Sequence, residues 1–193
     1  MMVTIVVEGP TDRVVAERIV GCAGLEPGFV YVTQGKAKLL RNLAGYNQAA
    51  RLAPWFVLCD LDREPCAPKL VQRHLSAPAA QMCFRVAVRE TEAWLLADVD
   101  RVARFLGIPP VTVPAVPETL LDPKEALVSL ARKSRNRLIR EDMVPSESAL
   151  RQVGPGYEAR IIEFASTHWR PQVAADRSPS LARCIEALRR LKA

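Results

Sequence analysis

Three carboxylates lie where strands of this chain are predicted to end. Glu8 directly follows the apolar run Val3–Val7, and Asp60 and Asp62 directly follow the apolar run Trp55–Cys59. Functional groups gather at the carboxyl ends of parallel strands, because the loops there converge on a crevice. Carboxylate oxygens favour Mg²⁺ or Mn²⁺ over zinc, and clustered carboxylates without a cation repel one another. The spacing therefore predicts an acidic site that holds a divalent metal ion.

Further polar residues near predicted strand ends have two interpretations each. Asp12 opens the helix after the first strand, where it is either an additional site residue or a helix cap. Glu90 and Glu92 follow the fourth strand, so either could reach the crevice and bind a second metal ion, with Glu92 preferred. The alternative places both in the first turn of a helix, where carboxylates meet the positive end of the dipole. Lys36 or Lys38, after the second strand, either meets a phosphate or is a solvated lysine at a helix start.

A parallel α/β sheet must position these side chains. Short β-branched runs alternate with helical patterns through the first hundred residues, which is typical of such a sheet. The predicted strands are Val3–Val7, Phe29–Val32, Trp55–Cys59 and Met82–Val88. The predicted helices between them are Asp12–Ala23, Lys36–Leu52 and Pro68–Leu75, with Gly45 weakening the second.

The second half of the chain is predicted to be all-helical. Helical patterns or helix-start signals occur at Thr91–Ala97, Val99–Leu106, Asp122-Pro123, Tyr157–His168 and Ser178-Pro179. The stretch Ile108–Pro117 holds four prolines and cannot form a regular helix or a central strand. We therefore predict an α/β domain over 1–107, a proline-rich connector over 108–121, and a helical C-terminal region over 122–193 packed on the domain.

The positive charge of the chain is concentrated in this helical half. The formal net charge is +6; residues 1–100 hold 11 Lys/Arg and 11 Asp/Glu, whereas residues 101–193 hold 16 and 10. Such a surplus could bind a nucleic-acid backbone with salt-dependent, largely sequence-independent affinity, or form a solvated helical face. The densest basic run contains Arg132, Lys133, Arg135, Arg137 and Arg140.

Cysteine usage and hydropathy indicate a soluble, reduced protein. The five cysteines include no Cys-x-x-Cys pair, which favours reduced core thiols over disulfides or zinc. The longest apolar runs are strand-sized, so no membrane contact is expected. No signal-peptide pattern opens the chain, and a cytoplasmic location is the expectation.

The order of the two acidic motifs resembles the Toprim domain of topoisomerases, primases, OLD-family nucleases and small ribonucleases that mature ribosomal RNA. The resemblance covers about residues 1–100 and rests on a strand ending in Glu8-Gly9 and a later strand ending in Asp60-Leu61-Asp62. It implies a Rossmannoid parallel sheet flanked by helices. It also implies that Glu8 acts as a general acid or base near the metal, that Asp60 and Asp62 hold Mg²⁺, and that Glu64 takes the third acidic position of a longer Asp-x-Asp-x-Asp form.

A narrower resemblance spans nearly the whole chain. The segment Arg89–Asp98, Asp122-Pro123-Lys124 and Ser178–Leu181 are similar to an uncharacterised family of small bacterial Toprim-like proteins. That family resembles nuclease components of phage-defence systems, which work beside an ATPase. The resemblance implies a Mg²⁺-dependent nuclease, as the effector of a phage-defence or DNA-repair system with an AAA- or ABC-type ATPase partner. The alternative is a non-catalytic regulatory subunit that binds a metal or nucleotide, and a homo-oligomer stays open.

Other reaction classes have less support. Only two histidines are present, neither near a strand-end motif, so a Ser-His-Asp or Cys-His apparatus is disfavoured. No Gly-x-x-x-x-Gly-Lys-Ser/Thr stretch occurs, which disfavours ATP binding through a P-loop. An aspartate-nucleophile phosphatase of the haloacid-dehalogenase type would carry its Asp-x-Asp after the first strand, where this chain has Glu8.

Overall fold

The computed structural model describes residues 1–147 and 150–191. Their internal contacts divide the chain into two compact units. The first comprises Met1–Val88 together with the chain from Ser180 onward, and the second comprises Arg89–Pro179. No helix of the described residues is long and apolar enough to cross a membrane.

A four-stranded parallel sheet forms the centre of the first unit. Its strands are β1 (Met2–Val7), β2 (Glu26–Val32), β3 (Trp55–Asp60) and β4 (Met82–Ala87), in the order β2-β1-β3-β4. The predicted α/β class with a parallel sheet flanked by helices is confirmed. The β-branched and aromatic residues of these runs suit a buried pleated surface, since β1 and β3 lie between other strands and bury most of their side chains.

Helices cover both faces of this sheet. The helices of the first unit are α1 (Pro10–Cys22), α2 (Lys36–Arg41), α3 (Leu43–Ala49), α4 (Ala67–His74) and α11 (Pro179–Arg190). Val6, Val57 and Phe84 are aligned across neighbouring strands and form one apolar core with Leu39 of α2 and Leu70 of α4.

The second unit is helical. It contains α5 (Thr91–Leu96), α6 (Val99–Leu106), α7 (Pro123–Arg132), α8 (Arg137–Met143), α9 (Tyr157–Thr167) and α10 (Pro171–Ala175), with short 3₁₀ turns at Pro110–Thr112 and Pro117–Thr119. Every residue of α5 is buried. The indole Nε1 of Trp169 donates to the carbonyl oxygen of Trp94 at 3.2 Å, and Arg170 pairs with the fully buried Asp98. The predicted helical C-terminal region is confirmed.

Several local features differ from the sequence-based expectations. The predicted helix Lys36–Leu52 is interrupted at Asn42 and not at Gly45, which lies inside α3. Helices α8 and α10 were not predicted. The boundaries of the two compact units also differ from those of the predicted segments. The chain divides after Val88 and not after residue 107, and its last helix belongs with the sheet.

Candidate functional site

The predicted catalytic carboxylates lie where the sheet reverses its order. The chain leaves β1 toward β2 on one side, whereas it leaves β3 toward β4 on the other. Neighbouring strands whose connections diverge in this way leave a crevice at their carboxyl ends, which is the usual ligand position in open α/β sheets. Glu8 follows the last residue of β1, and Asp60 is the last residue of β3. The sheet therefore brings together two acids that are 52 residues apart in the chain.

A direct hydrogen bond joins these two strand ends. The backbone N–H of Asp60 donates to Oε1 of Glu8 at 3.0 Å. Both side chains are half-buried. The bond fixes the Glu8 carboxyl group against the end of β3, beside the Asp60-Leu61-Asp62 segment.

The surroundings of Glu8 make its charged form unfavourable. Burial is the largest cause, and the neighbouring carboxylates of Asp12 and Asp62 add repulsion. The N–H of Asp60 and the ammonium group of Lys36 act in the opposite direction. Together they raise the pKa of Glu8 from 4.5 to about 7. Burial and the neighbouring carboxylates therefore favour the protonated form of Glu8.

Lys36 is a cationic neighbour of both Glu8 and Asp62. Its Nζ donates to the carbonyl oxygen of Leu61 at 3.1 Å and to Oδ2 of Asp62 at 3.0 Å, and its side chain is only 18% exposed. The interpretation of Lys36 as a solvated lysine is therefore wrong. Its position at the first residue of α2, after a neighbouring strand, is a sequence signal for this role.

The loop that carries Asp62 has a specific backbone conformation. Asp62 has φ 52°, in the left-handed region that aspartate tolerates better than most residues. Its side chain is 49% exposed and borders an open hollow of about 600 Å³. Lys36, Arg63 and Glu64 line the same hollow. Two cationic and two acidic side chains therefore line this hollow.

Asp12 and Glu64 have local partners. Oδ2 of Asp12 accepts a hydrogen bond from the N–H of Gly9 at 3.0 Å, so Asp12 caps the first turn of α1 while adding negative charge near Glu8. Glu64 pairs with Arg73 of α4 at 3.3 Å. Glu64 would have to leave Arg73 before both of its oxygens could bind a metal ion.

Glu90 and Glu92 lie in the second unit, where they form a cluster with Lys124 and Tyr157. Glu90 accepts a hydrogen bond from the backbone N–H of Lys124 at 3.0 Å. Glu92 is 3% exposed. It accepts a hydrogen bond from the Tyr157 hydroxyl at 3.3 Å and forms an ion pair with Nζ of Lys124 at 3.5 Å. Burial and repulsion from Glu92 raise the pKa of Glu90 to about 6. Their contribution to the metal site stays a prediction.

Most of the basic run is on the surface of the second unit. Arg132, Lys133, Arg135 and Arg137 are exposed, whereas Arg140 is partly buried and donates to the carbonyl oxygen of Ser134. Arg137 also pairs with Glu141 at 2.7 Å, which raises the pKa of its guanidinium group. Arg140 thus has a structural role in the turn before α8.

The oxygen atoms at the strand ends are of the type that binds a hard divalent cation, but they do not converge on a common coordination position. Carboxylate and carbonyl oxygens are the ligands of Mg²⁺ and Mn²⁺. In residues 1–147 and 150–191, no group of three or more His, Cys, Asp or Glu side chains is arranged to hold a metal ion. All five cysteines are free thiols, and Cys59, Cys83 and Cys184 are buried.

Comparisons with models of protein families, with curated proteins and with solved structures found no match to this chain.

Proposed function

We propose that this chain hydrolyses phosphodiester bonds of nucleic acids, using Mg²⁺ or Mn²⁺ held by Asp60 and Asp62 with Glu8 beside them. The proposal combines the Toprim resemblance of the two motifs with one observation. The backbone N–H of Asp60 donates a 3.0 Å hydrogen bond to Glu8, and both motifs lie where the strand order of the parallel sheet reverses.

The residues of the site have separate roles in this proposal. A bound divalent ion would orient the scissile phosphate and offset the charge that develops in the transition state. Glu8 would transfer a proton or share the metal, as the resemblance implies. Lys36 neutralises Asp62 in the ligand-free protein and, with Arg63, would attract the phosphate backbone into the hollow beside them. Glu64, Glu90 and Glu92 remain candidates for a second ion.

The position of Lys36 has a consequence for metal binding. Because its ammonium group contacts both Asp62 and the carbonyl oxygen of Leu61, a metal ion at these oxygens would compete with it. A bound divalent cation would reduce the repulsion that the carboxylates of Asp12 and Asp62 exert on Glu8, which favours metal uptake. The lysine then becomes available to a phosphate group.

The proposal is tested by incubating the purified protein with plasmid, single-stranded DNA and RNA in the presence of Mg²⁺ or Mn²⁺. We expect cleavage by the wild type and a loss of roughly 100-fold or more in Glu8→Ala and in Asp60→Ala. Glu26→Ala is the matched control, because it removes an exposed carboxylate at the start of β2, the opposite end of the sheet from the site. Binding of Mg²⁺, measured by calorimetry, should weaken in Asp60→Ala but not in Glu26→Ala.

Two outcomes would contradict the proposal. Cleavage that is unchanged by both site substitutions would remove Glu8 and Asp60 from the reaction. Metal binding without cleavage of any substrate, with folded protein and an ATPase partner supplied, would favour a regulatory subunit that holds a metal or nucleotide. The ATPase partner and the nucleic-acid contacts of Arg132, Lys133, Arg135, Arg137 and Arg140 are predictions that the same assay can address.

A further inference from the structure

A second pocket in the first unit lies along the outer edge of β4. It has a volume of about 490 Å³, which is within the usual range for small-molecule sites. Its lining residues come from α4 and the loop after it, from β4 and the residue after it, and from the first turns of α11. Val71 and Phe84 are part of an apolar wall. None of the residues proposed to bind metal, Glu8, Asp60 and Asp62 among them, lines this pocket.

The charged residues that line this pocket are all positive. Arg85 of β4 and Arg183 of α11 both line it, and no Asp or Glu does. Some other arginines of the described chain do pair with carboxylates, as Arg73 does with Glu64 and Arg170 with Asp98. A pocket with two guanidinium groups and no acid attracts an anion.

Arg85 is the more informative of the two arginines. Its Nε is buried and has no hydrogen-bond partner among the described residues. Its surroundings include the thiols of Cys83 and Cys184, which burial holds in the neutral form. A buried donor without an acceptor destabilises a fold. A ligand that supplies the acceptor would explain why an arginine occupies this position.

The beginning of α11 strengthens the attraction for an anion. The helix has 12 residues and starts at Pro179, so its positive end is at the pocket, where Ser180 contributes to the lining. Arg183 follows one turn later on the same helix. The start of the helix and the Arg183 side chain thus both border the cavity.

We propose that this pocket binds a nucleoside phosphate, with its phosphate group at Arg85 and Arg183 and its base against the apolar wall. Two cations match a phosphate better than a single carboxylate, because a phosphate carries more charge and more acceptor oxygens. The neutral polar side chains of Gln72 and Ser76 also line the pocket and suit the ribose hydroxyls or the base. This binding would make the first unit responsive to a nucleotide at a place separate from the strand-end acids.

The experiment is calorimetric titration of the full chain with adenosine 5′-monophosphate, in EDTA so that no metal occupies the acidic site. Adenosine, inorganic phosphate and decanoate are titrated separately. We expect the nucleotide to bind at least roughly tenfold more tightly than adenosine or phosphate alone, because only the nucleotide uses both halves of the pocket. Arg85→Met and Arg183→Met should each weaken this binding by roughly tenfold or more. Arg51→Met, at an exposed arginine that does not line the pocket, is the matched control and should change nothing.

A stability measurement distinguishes a ligand-binding arginine from a structural one. Arg85→Met replaces a buried unpaired donor by an apolar side chain of similar length, so the ligand-free variant should melt at a higher temperature than the wild type. A lower melting temperature would show that Arg85 supports the fold, and it would overturn its assignment to a ligand. Arg183→Met changes an exposed residue and tests the pocket even if the Arg85 variant does not fold.

Three results of the titration would overturn the proposal. The first is an absence of nucleotide binding, and the second is equal binding by the wild type and the Arg85→Met/Arg183→Met double variant. The third is binding of decanoate in preference to the nucleotide, which would identify a site for aliphatic anions. None of these results depends on nuclease activity at Glu8 and Asp60.

Discussion

The position that suits Glu8 to acid–base chemistry also makes its charged form unfavourable in the folded protein. Its carboxyl group is half-buried, accepts one backbone hydrogen bond and faces two further carboxylates. Its pKa of about 7 lies above the ordinary 4.5, so the folded state holds the proton more tightly than the unfolded chain does. The stabilising contribution of the protonated group is complete below pH 4.5 and is lost as the pH rises toward about 7.

Glu8→Gln should therefore stabilise the metal-free protein at high pH. Glutamine keeps an oxygen for the N–H of Asp60 but carries no charge. Because part of the carboxyl group is still solvated, we expect a gain of about 1 kcal/mol at pH 8, or about 2–4 °C in melting temperature, and little gain at pH 4.5. Thermal unfolding in EDTA at both pH values measures the difference. Glu26→Gln, an exposed carboxylate, is the control, and an equal effect of Glu8→Gln at both pH values would contradict this account.

At the scale of elements, the connection between α8 and α9 depends on the close approach of two backbone segments. The N–H of Gly154 donates to the carbonyl oxygen of Met143 at 3.0 Å, and that of Gly156 donates to Asp142 at 2.8 Å. A Cβ atom at Gly154 would lie 2.7 Å from the carbonyl carbon of Met143 and would also overlap the carbonyl oxygen of Asp142. Only glycine allows the chain to return so close to the end of α8.

Gly154→Ala should destabilise this helical unit by about 1–3 kcal/mol, because the overlapping atoms are backbone atoms that cannot rotate away. Gly45→Ala makes the same chemical change inside α3, where a Cβ atom meets nothing within 4 Å. That control should stabilise the protein by about 0.5–1 kcal/mol through the better helix propensity of alanine. Denaturant unfolding of both variants measures the contrast. Equal effects would show that the α8–α9 connection relaxes freely.

At the scale of the whole molecule, the chain closes its first unit with its last helix. Leu181, Cys184 and Leu188 of α11 are fully buried, and Cys83 and Arg85 of β4 lie close enough to Cys184 to affect the pKa of its thiol. The sheet therefore depends on residues that are synthesised about a hundred positions after β4. The compact unit is not a continuous piece of sequence.

Leu188→Ala should lower the stability of the sheet by about 3 kcal/mol, since a fully buried leucine leaves a cavity when it is truncated. Leu52→Ala, at a leucine that is 88% exposed, should change stability by less than about 0.5 kcal/mol. Circular dichroism during thermal unfolding measures both variants. A small effect of Leu188→Ala would mean that α11 is not required by the sheet.

Local patterns in the sequence predicted most of the elements. The four strands and the majority of helices follow from apolar periodicity, helix caps and prolines, which act within a few residues. Helix α8 is not predicted although Asn136 caps it. Its apolar pattern consists only of Ile139 and Met143, which is too short to stand out among the basic residues around it. Short elements are stabilised mainly by their tertiary neighbours, so their own sequence carries little signal.

The sequence by itself determined the parallel α/β class and the position of Glu8, Asp60 and Asp62 at strand ends, because strand propensity and alternation are local properties. Only the tertiary structure decided that Lys36 pairs with Asp62 and that Glu92 is buried against Tyr157. These contacts join residues 26 and 65 positions apart. They depend on how elements pack, and packing is set by the free energy of the whole fold and not by any one segment.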